Sequence, residues 1–362
     1  MPNTLAYGFA NLQDIFDENV TNVRIETLDE AVRTSAQIHS EDLNALLATF
    51  VERTTTPQIR YELPGGGELQ AVGENGTPLP TRAGARYTRG FPLFRGADSF
   101  GANREAWQKM TVGGLNRRML NVQTKDARWN IRRILAAMFT NVDYVFDDED
   151  DEIGAITVGT LAKTGDGSIY PNLKGELTSF NHYVGQANAI SDTENPYKEA
   201  AGLLRQHPSN LEPFVAYVST SLIEDTMALS AFYLARGLEP LVNFGADVST
   251  ADDGVEEFVG FGKRVVGVAN NVILVEAPRV PDGWIITYAS GSGAPLRMRE
   301  EPEAGLQGLQ PVIHQVDSNF RRYDFYRKAG YGVANPVSVV VTQVGSATYS
   351  IPSGFDIRTL PG

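Results

Sequence analysis

Two periodicities divide the chain. Between Leu115 and Asn141 there is neither proline nor glycine, and Ile131, Ile134, Leu135 and Met138 recur at i, i+3, i+4 and i+7. That spacing places them on one face of a helix, so the pattern predicts an amphipathic helix of about 25 residues, the longest element of the chain. Period two governs elsewhere. Gln58 to Leu63 and Glu68 to Val72 alternate apolar with polar residues around Gly65-Gly66-Gly67, which predicts a hairpin-like arm. Asn75-Gly76 adds a second turn, and Pro78, Pro80 and Pro92 keep the return path off any central strand position. Val265 to Tyr288 reads as strand-turn-strand with breaks at Pro278, Pro281 and Asp282-Gly283. The β-branched run Val337 to Val344, with Tyr349 to Ile351 behind it, returns to sheet.

The other segments give weaker patterns. Residues 1–40 mix small apolar and acidic residues without a sustained period, as an extended arm does, and Ser40-Glu41-Asp42-Leu43 then opens a short helix with Leu43, Leu46, Leu47 and Phe50 at helical spacing. Ile153 to Leu161 reads as a strand, and Pro196 to Arg205 and Leu211 to Arg236 read mostly as helix, so that roughly 166–290 forms a compact α/β lobe. Thr56 to Arg104, rich in turn residues and poor in large aliphatics, cannot bury itself and is expected to lie across another molecule.

At 362 residues the chain is long enough for one large or two ordinary domains. A net charge of −13 argues against whole-chain attraction to nucleic acid or an anionic membrane, though not against local basic patches. The absence of cysteine excludes disulfides, thiolate metal sites and cysteine nucleophiles. Met1 to Ala6 lacks the positive start and apolar run of a signal peptide, and no stretch approaches the ~20 apolar residues of a membrane span, so a cytoplasmic site of assembly and no membrane partner are expected.

Motifs for chemistry fail one by one. Ser290-Gly291-Ser292-Gly293 has serine where a nucleophile elbow needs glycine. Gly262-Lys263 has Glu257 before it and Arg264 after it, which breaks a phosphate loop twice. His39, His182, His207 and His314 are scattered, and the acidic run Asp147 to Glu152 lacks the spacing of a calcium loop. No catalytic residue, cofactor or metal is expected. Asn319 to Lys328 interleaves arginines with aromatic rings, a composition that suits a protein interface better than base stacking in so acidic a chain. The predicted long helix carries Arg117, Arg118, Lys125, Arg128, Arg132 and Arg133 against Asp126 alone, either a solvated face or one turned to an anion or partner.

The order of extended arm, short helix, glycine-rich loop, long helix, acidic strand, central lobe and final sheet resembles the tailed-phage major capsid proteins of the Hong Kong 97-like fold. Gly165-Asp166-Gly167-Ser168-Ile169-Tyr170-Pro171 is similar to the connection entering that family's A-domain. Arg279 to Tyr288, Pro295 to Glu301 and Gly330 to Val333 are similar to its return to the P-domain. The resemblance implies an α+β fold with an N-terminal arm and short helix over 1–55, an extended E-loop over 56–104, a P-domain with its spine helix over 105–165, an A-domain over 166–290, and a return to the P-domain sheet over 291–362. It also implies self-assembly through hexamers and pentamers into an icosahedral virion shell, made in the host cytoplasm. Scaffolding, portal and cement proteins would be further partners, and packaged DNA would be met only by non-specific contact. Some relatives cross-link through a lysine on the E-loop. This chain has no lysine before Lys109, so non-covalent stabilisation is expected.

Charge adds an expectation of its own. Arg82, Arg86 and Arg89 lie on the return half of the arm, while Asp147, Asp148, Glu149, Asp150, Asp151 and Glu152 have no cation nearby in sequence. The two sets are expected to meet between subunits. An encapsulin-type compartment shell shares the implied fold and is the alternative function. An α/β enzyme with a pocket pairing carboxylates, and a nucleic-acid binder using Phe320 to Lys328, are the alternatives from other classes.

Overall fold

A computed structural model describes residues 7–62, 76, 86–101, 104–148, 154–165, 170–174, 177–234, 264–317 and 320–361. The long helix spans Val112–Phe139, 28 residues, close to its periodicity. Thr111 caps it, its hydroxyl accepting from Gly114 N at 3.1 Å and so satisfying one of the four open N–H groups of the first turn. Gly113 extends the start of the helix beyond the glycine-free run because the Phe16 carbonyl sits against it: Gly113 N donates to that oxygen at 2.9 Å, and an added Cβ would lie 3.0 Å from it. Thr140 ends the helix in extended backbone, its hydroxyl donating to Ala136 O and accepting from Ile357 N.

The helix crosses a five-stranded sheet ordered Val51–Thr54, Leu296–Arg299, Phe320–Val333, Gln310–Asp317, with Phe94–Phe100 also on Phe320–Val333. Phe320–Val333 organises it, pairing antiparallel with Gln310–Asp317 and Phe94–Phe100 along its first half and with Leu296–Arg299 along its second. The end of the segment expected as a free arm is therefore a strand of this sheet, preceded by the buried Phe91 and Leu93. Gly96 lets helix and sheet approach: a Cβ there would stand 3.2 Å from the Trp129 ring.

A second, seven-stranded sheet runs Phe232–Leu234, Arg264–Ala269, Val272–Glu276, Phe214–Val218, Trp284–Ala289, Val339–Val344, Tyr183–Gln186. Phe214–Val218 corrects the helical expectation for Leu211 to Arg236, where among the described residues only Ile223–Met227 is α-helical. All five of its residues are buried, because both faces are covered. Val215 and Tyr217 join the core shared with the long helix and the five-stranded sheet, while Phe214, Ala216 and Val218 pack under the helix Pro196–Arg205. A short apolar run covered on both sides has no alternation to betray it.

The expected extended segment 1–40 is corrected more strongly. Ile25–Leu47 is a 23-residue helix, and Ser40, expected as its cap, lies well inside it and donates to Ala36 O at 2.9 Å. Its buried face is Leu28, Ala31, Val32, Ser35, Ala36, His39, Leu43, Leu46 and Leu47, a helical period hidden because Ser35 and His39 hold core positions.

His39 belongs to a buried polar cluster that ties this helix, the long helix and the first sheet together. Asp126 accepts from Arg327 Nε at 2.6 Å and lies 2.9 Å from His39 Nε2, while Tyr331 donates to Asn130 Oδ1 at 2.6 Å. Burial alone would raise the Asp126 carboxyl. The Arg327 guanidinium and the His39 hydrogen bond outweigh it and hold that carboxyl below the usual range. The carboxylate therefore contributes stability that is complete above pH ~4 and is lost as pH falls through its lowered value.

A histidine pair lies in the second lobe. His182 Nδ1 donates to Val339 O at 2.7 Å, so its Nε2 is the acceptor in the 3.1 Å contact with His207 Nε2. Burial pushes the His182 imidazole down to about 3, assisted by the nearby His207.

Two predictions follow from these buried groups. Asp126→Asn leaves Arg327 buried without its counter-charge and is expected to cost about 3–5 kcal/mol in urea unfolding at pH 7. A loss below 1 kcal/mol would show that the cluster is dispensable. For His182 the folded value is depressed, so the unfolded chain takes up the proton first. Stability falls from pH ~6.5 toward pH ~3, by up to about 1.4 kcal/mol per unit. His182→Gln should remove about 2–3 kcal/mol of the drop between pH 7 and pH 4.5, read from unfolding midpoints at the two pH values; an unchanged drop would locate the acid sensitivity elsewhere.

Candidate assembly surfaces

The arm leaves the lobe as two paired strands. Gln58–Glu62 and Arg86–Gly90 run antiparallel from Gln58 opposite Gly90 to Glu62 opposite Arg86, and Phe91 N donates to Pro57 O at 2.8 Å below them. This root rests on the hairpin Tyr144–Asp148 with Gly154–Val158. Gly90 is pressed so close to it that a Cβ would lie 2.6 Å from Thr157 O. The partner expected for Gln58 to Leu63, namely Glu68 to Val72, falls outside the described residues, as do the Gly65-Gly66-Gly67 turn and Pro78 and Pro80.

Two of the predicted contact residues are engaged within the chain. Arg89 is buried and donates to Thr160 O at 3.0 Å and to the Tyr170 hydroxyl at 2.9 Å. Asp148 pairs with Arg299, both side chains being at most 2 % exposed, and Arg299 also donates to the Phe91 carbonyl. The expectation that the acidic run meets its cations between subunits is corrected at Asp148, whose partner is within the chain. The reason is the two-residue period of the strand Tyr144–Asp148, which turns Val145 and Asp147 outward and Asp148 inward. Arg299 stands 151 positions away in sequence and no local pattern announces it. Arg86 lies in the paired root opposite Glu62, and Asp147 is exposed. Arg82, Glu149, Asp150, Asp151 and Glu152 lie outside the described residues.

In the arginine- and ring-rich segment expected at an interface, Tyr323, Asp324, Phe325 and Arg327 are buried, while Arg322 and Tyr326 are exposed. Tyr323, Phe325 and Arg327 point toward the helices, and Phe100 packs against both rings at 5.1 and 5.3 Å. Arg322 and Lys328 emerge on the other side, where Asp324 and Glu301 neutralise them. That geometry removes the base-stacking alternative for Tyr323 and Phe325. The large apolar side chains that remain exposed include Tyr233 and Leu234 on the edge strand of the seven-stranded sheet and Val145 beside Asp147.

A cavity of about 1040 Å³ opens near the other edge of that sheet, lined among others by Lys163, Asn172, Tyr183, Glu199, Gln206 and Tyr349. Glu199 is its one lining carboxylate among the described residues, so these residues do not pair two carboxylates there. The described residues hold no group of three side chains able to bind a metal, and none of their helices is long and apolar enough to cross a membrane.

No family model and no curated protein matches the sequence. Among solved structures, a chain of Mycobacterium phage Patience superposes with a TM-score of 0.65 at 18% identity, covering 98% of this chain and 98% of that one. The capsid of Ralstonia phage GP4 gives a TM-score of 0.47 at 11% identity over 84% and 91% of the two chains. The SrpI encapsulin complex of Synechococcus elongatus PCC 7942 gives 0.42 at 10% identity over 85% and 89%. The first likeness spans nearly the whole of both chains, and the α+β fold implied by the resemblance to Hong Kong 97-like capsid proteins is the fold found.

Proposed function

We propose that the chain is the major capsid protein of a tailed bacteriophage, assembling through pentamers and hexamers into an icosahedral shell around a double-stranded DNA genome. The observation that carries this reading is the end-to-end likeness of fold to a phage chain. In it, residues 56–104 are the E-loop, the helix Val112–Phe139 is the spine of the P-domain, and six strands of the seven-stranded sheet fall in the A-domain over 166–290, with Val339–Val344 joining them from the returning segment 291–362. The work is structural, the location is the virion, and assembly takes place in the host cytoplasm. Scaffolding, portal and cement proteins are the expected additional partners.

The root of the arm supports the reading physically. Two strands, Gln58–Glu62 and Arg86–Gly90, are anchored to the lobe through Phe91, Arg89 and Gly90. An arm aimed in this way adds contact area on a neighbour beyond that of the compact body. Between subunits, Arg82 and Arg86 would meet Asp147 and Glu149 to Glu152, now without Arg89 and Asp148, which serve their own chain.

Electron microscopy of the purified chain is expected to show hollow icosahedral particles or rings of five and six. Arg82→Glu with Arg86→Glu should abolish or weaken them without moving the unfolding midpoint. A persistent monomer, even with scaffold supplied, contradicts the shell, and normal shells from the charge-reversed chain contradict the proposed contact. Arg299→Met is expected to act differently, lowering stability by about 3–5 kcal/mol because Asp148 stays buried and unpaired. Chemical unfolding separates the two effects, and an unchanged midpoint for Arg299→Met would show that this pair does not hold the arm root.

A further inference from the structure

The solvent face of the long helix has a charge pattern that nothing in the fold uses. Positions 117, 121, 125, 128 and 132 fall within an arc of about 80° at 100° per residue, on the side opposite the core-facing Met119, Gln123, Asp126 and Asn130. They are Arg117, Asn121, Lys125, Arg128 and Arg132, all exposed. The stripe is roughly 22 Å long. The helix carries a single acid, Asp126, which is buried on the opposite side in its pair with Arg327.

The cations of the stripe are largely uncompensated. Lys125 pairs with Asp98, and Arg132 donates Nε to the Gly354 carbonyl at 2.9 Å, which places the guanidinium but leaves its charge. Asp356, two residues beyond Gly354, is paired with Arg358. Among the described residues no carboxylate lies within ion-pair distance of Arg117, Arg128 or Arg132. The far side of the same layer differs, since Arg322 and Lys328 there are matched by Asp324 and Glu301. In a chain of net charge −13, three unmatched arginines, Arg117, Arg128 and Arg132, on one helix face are a local reversal of sign.

We propose that this stripe is the surface on which the chain meets the backbone of duplex DNA. The inference rests on the shell reading for its biological setting, and its geometry stands apart from that reading. A protein partner selects apolar and aromatic anchors at the centre of its interface. Here no large hydrophobic side chain of the long helix is strongly exposed, and Asn121 and Thr124 fill the positions between the cations. Duplex DNA asks only for cations and hydrogen-bond donors along a line, because its phosphates recur every 3.4 Å per strand and carry no apolar surface. Along the helix axis Arg117 and Lys125 are about 12 Å apart, Lys125 and Arg128 about 4.5 Å, and Arg128 and Arg132 about 6 Å, spacings that let each reach a phosphate along the groove edge. The contact reads no sequence.

The test uses the full-length chain, kept unassembled by dilution, and a labelled mixed-sequence duplex of about 30 base pairs, long enough to span the stripe. Anisotropy is measured from 50 to 200 mM KCl. Binding is expected to weaken steeply with salt. Arg117→Gln with Arg128→Gln should make the slope of log affinity against log salt shallower by about two and weaken binding at 50 mM at least about tenfold. Arg205→Gln, at a cation already matched by Glu212, should change neither. Three results would overturn the proposal: no salt-dependent binding by the unaltered chain, equal binding by the double variant, or loss of self-association in the double variant with DNA binding intact. The last would assign the stripe to an acidic neighbouring subunit. Binding that behaves as expected in a chain that never forms particles would count against the shell and leave the stripe in place.

Discussion

Everything in the first lobe is positioned by one buried carboxylate. Asp126 sits on the inner face of the long helix and is met by Arg327 from the organising strand and His39 from the N-terminal helix. A charge removed from water is tolerable only where partners are fixed in direction as well as distance. Apolar contact between helix and sheet would permit sliding by a turn. The requirement that one guanidinium and one imidazole reach the same carboxyl group permits a single register, and Tyr331 on Asn130 one turn further along repeats the constraint.

The second lobe inherits its position from the first. Phe50, just after the N-terminal helix, places its ring edge-on to Tyr217 and Tyr288 of the seven-stranded sheet at 4.9 and 5.3 Å, and Phe139 at the end of the long helix does the same to Trp284 at 5.2 Å. Both contacts lie at helix ends, so the register fixed at Asp126 is carried along two rigid rods to the other sheet. The arm root depends on the same frame, because Arg299, which holds Asp148 and the Phe91 carbonyl, lies on a strand paired with Phe320–Val333.

How much of this was legible in the sequence follows from where polar residues fall. The helix Pro196–Arg205, the strands from Val265 to Tyr288 and the last turns of the long helix keep apolar residues on the buried side, and the long helix is legible from those turns although Gln123, Asp126, Asn130 and Arg133 are buried further up. Ile25–Leu47 is not, because Ser35 and His39 occupy buried positions and break the stripe where the tertiary structure needs hydrogen bonds. Phe214–Val218 failed for the opposite reason, being apolar on both faces. At the candidate surfaces, the alternation that sends Asp148 inward is visible only once the strand Tyr144–Asp148 is known to begin before the acidic run. Arg327 and Arg322 are identical in composition and opposite in role. Which arginine faces the core is decided by the pairing of Phe320–Val333 with Phe94–Phe100, a contact between distant parts of the chain.

That sorting of like residues also explains the charge economy of the molecule. Of the buried arginines, Arg89, Arg299 and Arg327 are each held by two or more hydrogen bonds and Arg133 lies over the Phe94 and Trp129 rings, while Arg322 and Lys328 on the outer sheet face are matched by carboxylates. With an acid excess of thirteen over the chain, such matching would be easy everywhere. That Arg117, Arg128 and Arg132 lack it on the solvent face of the long helix is therefore informative about location. An anionic body repels its copies and nucleic acid at long range, with a reach of about 10 Å at 0.1 M salt. An exposed cationic line in that field attracts a polyanion brought close and held parallel, so in the proposed shell charge of both signs would confine the contact with DNA to one surface.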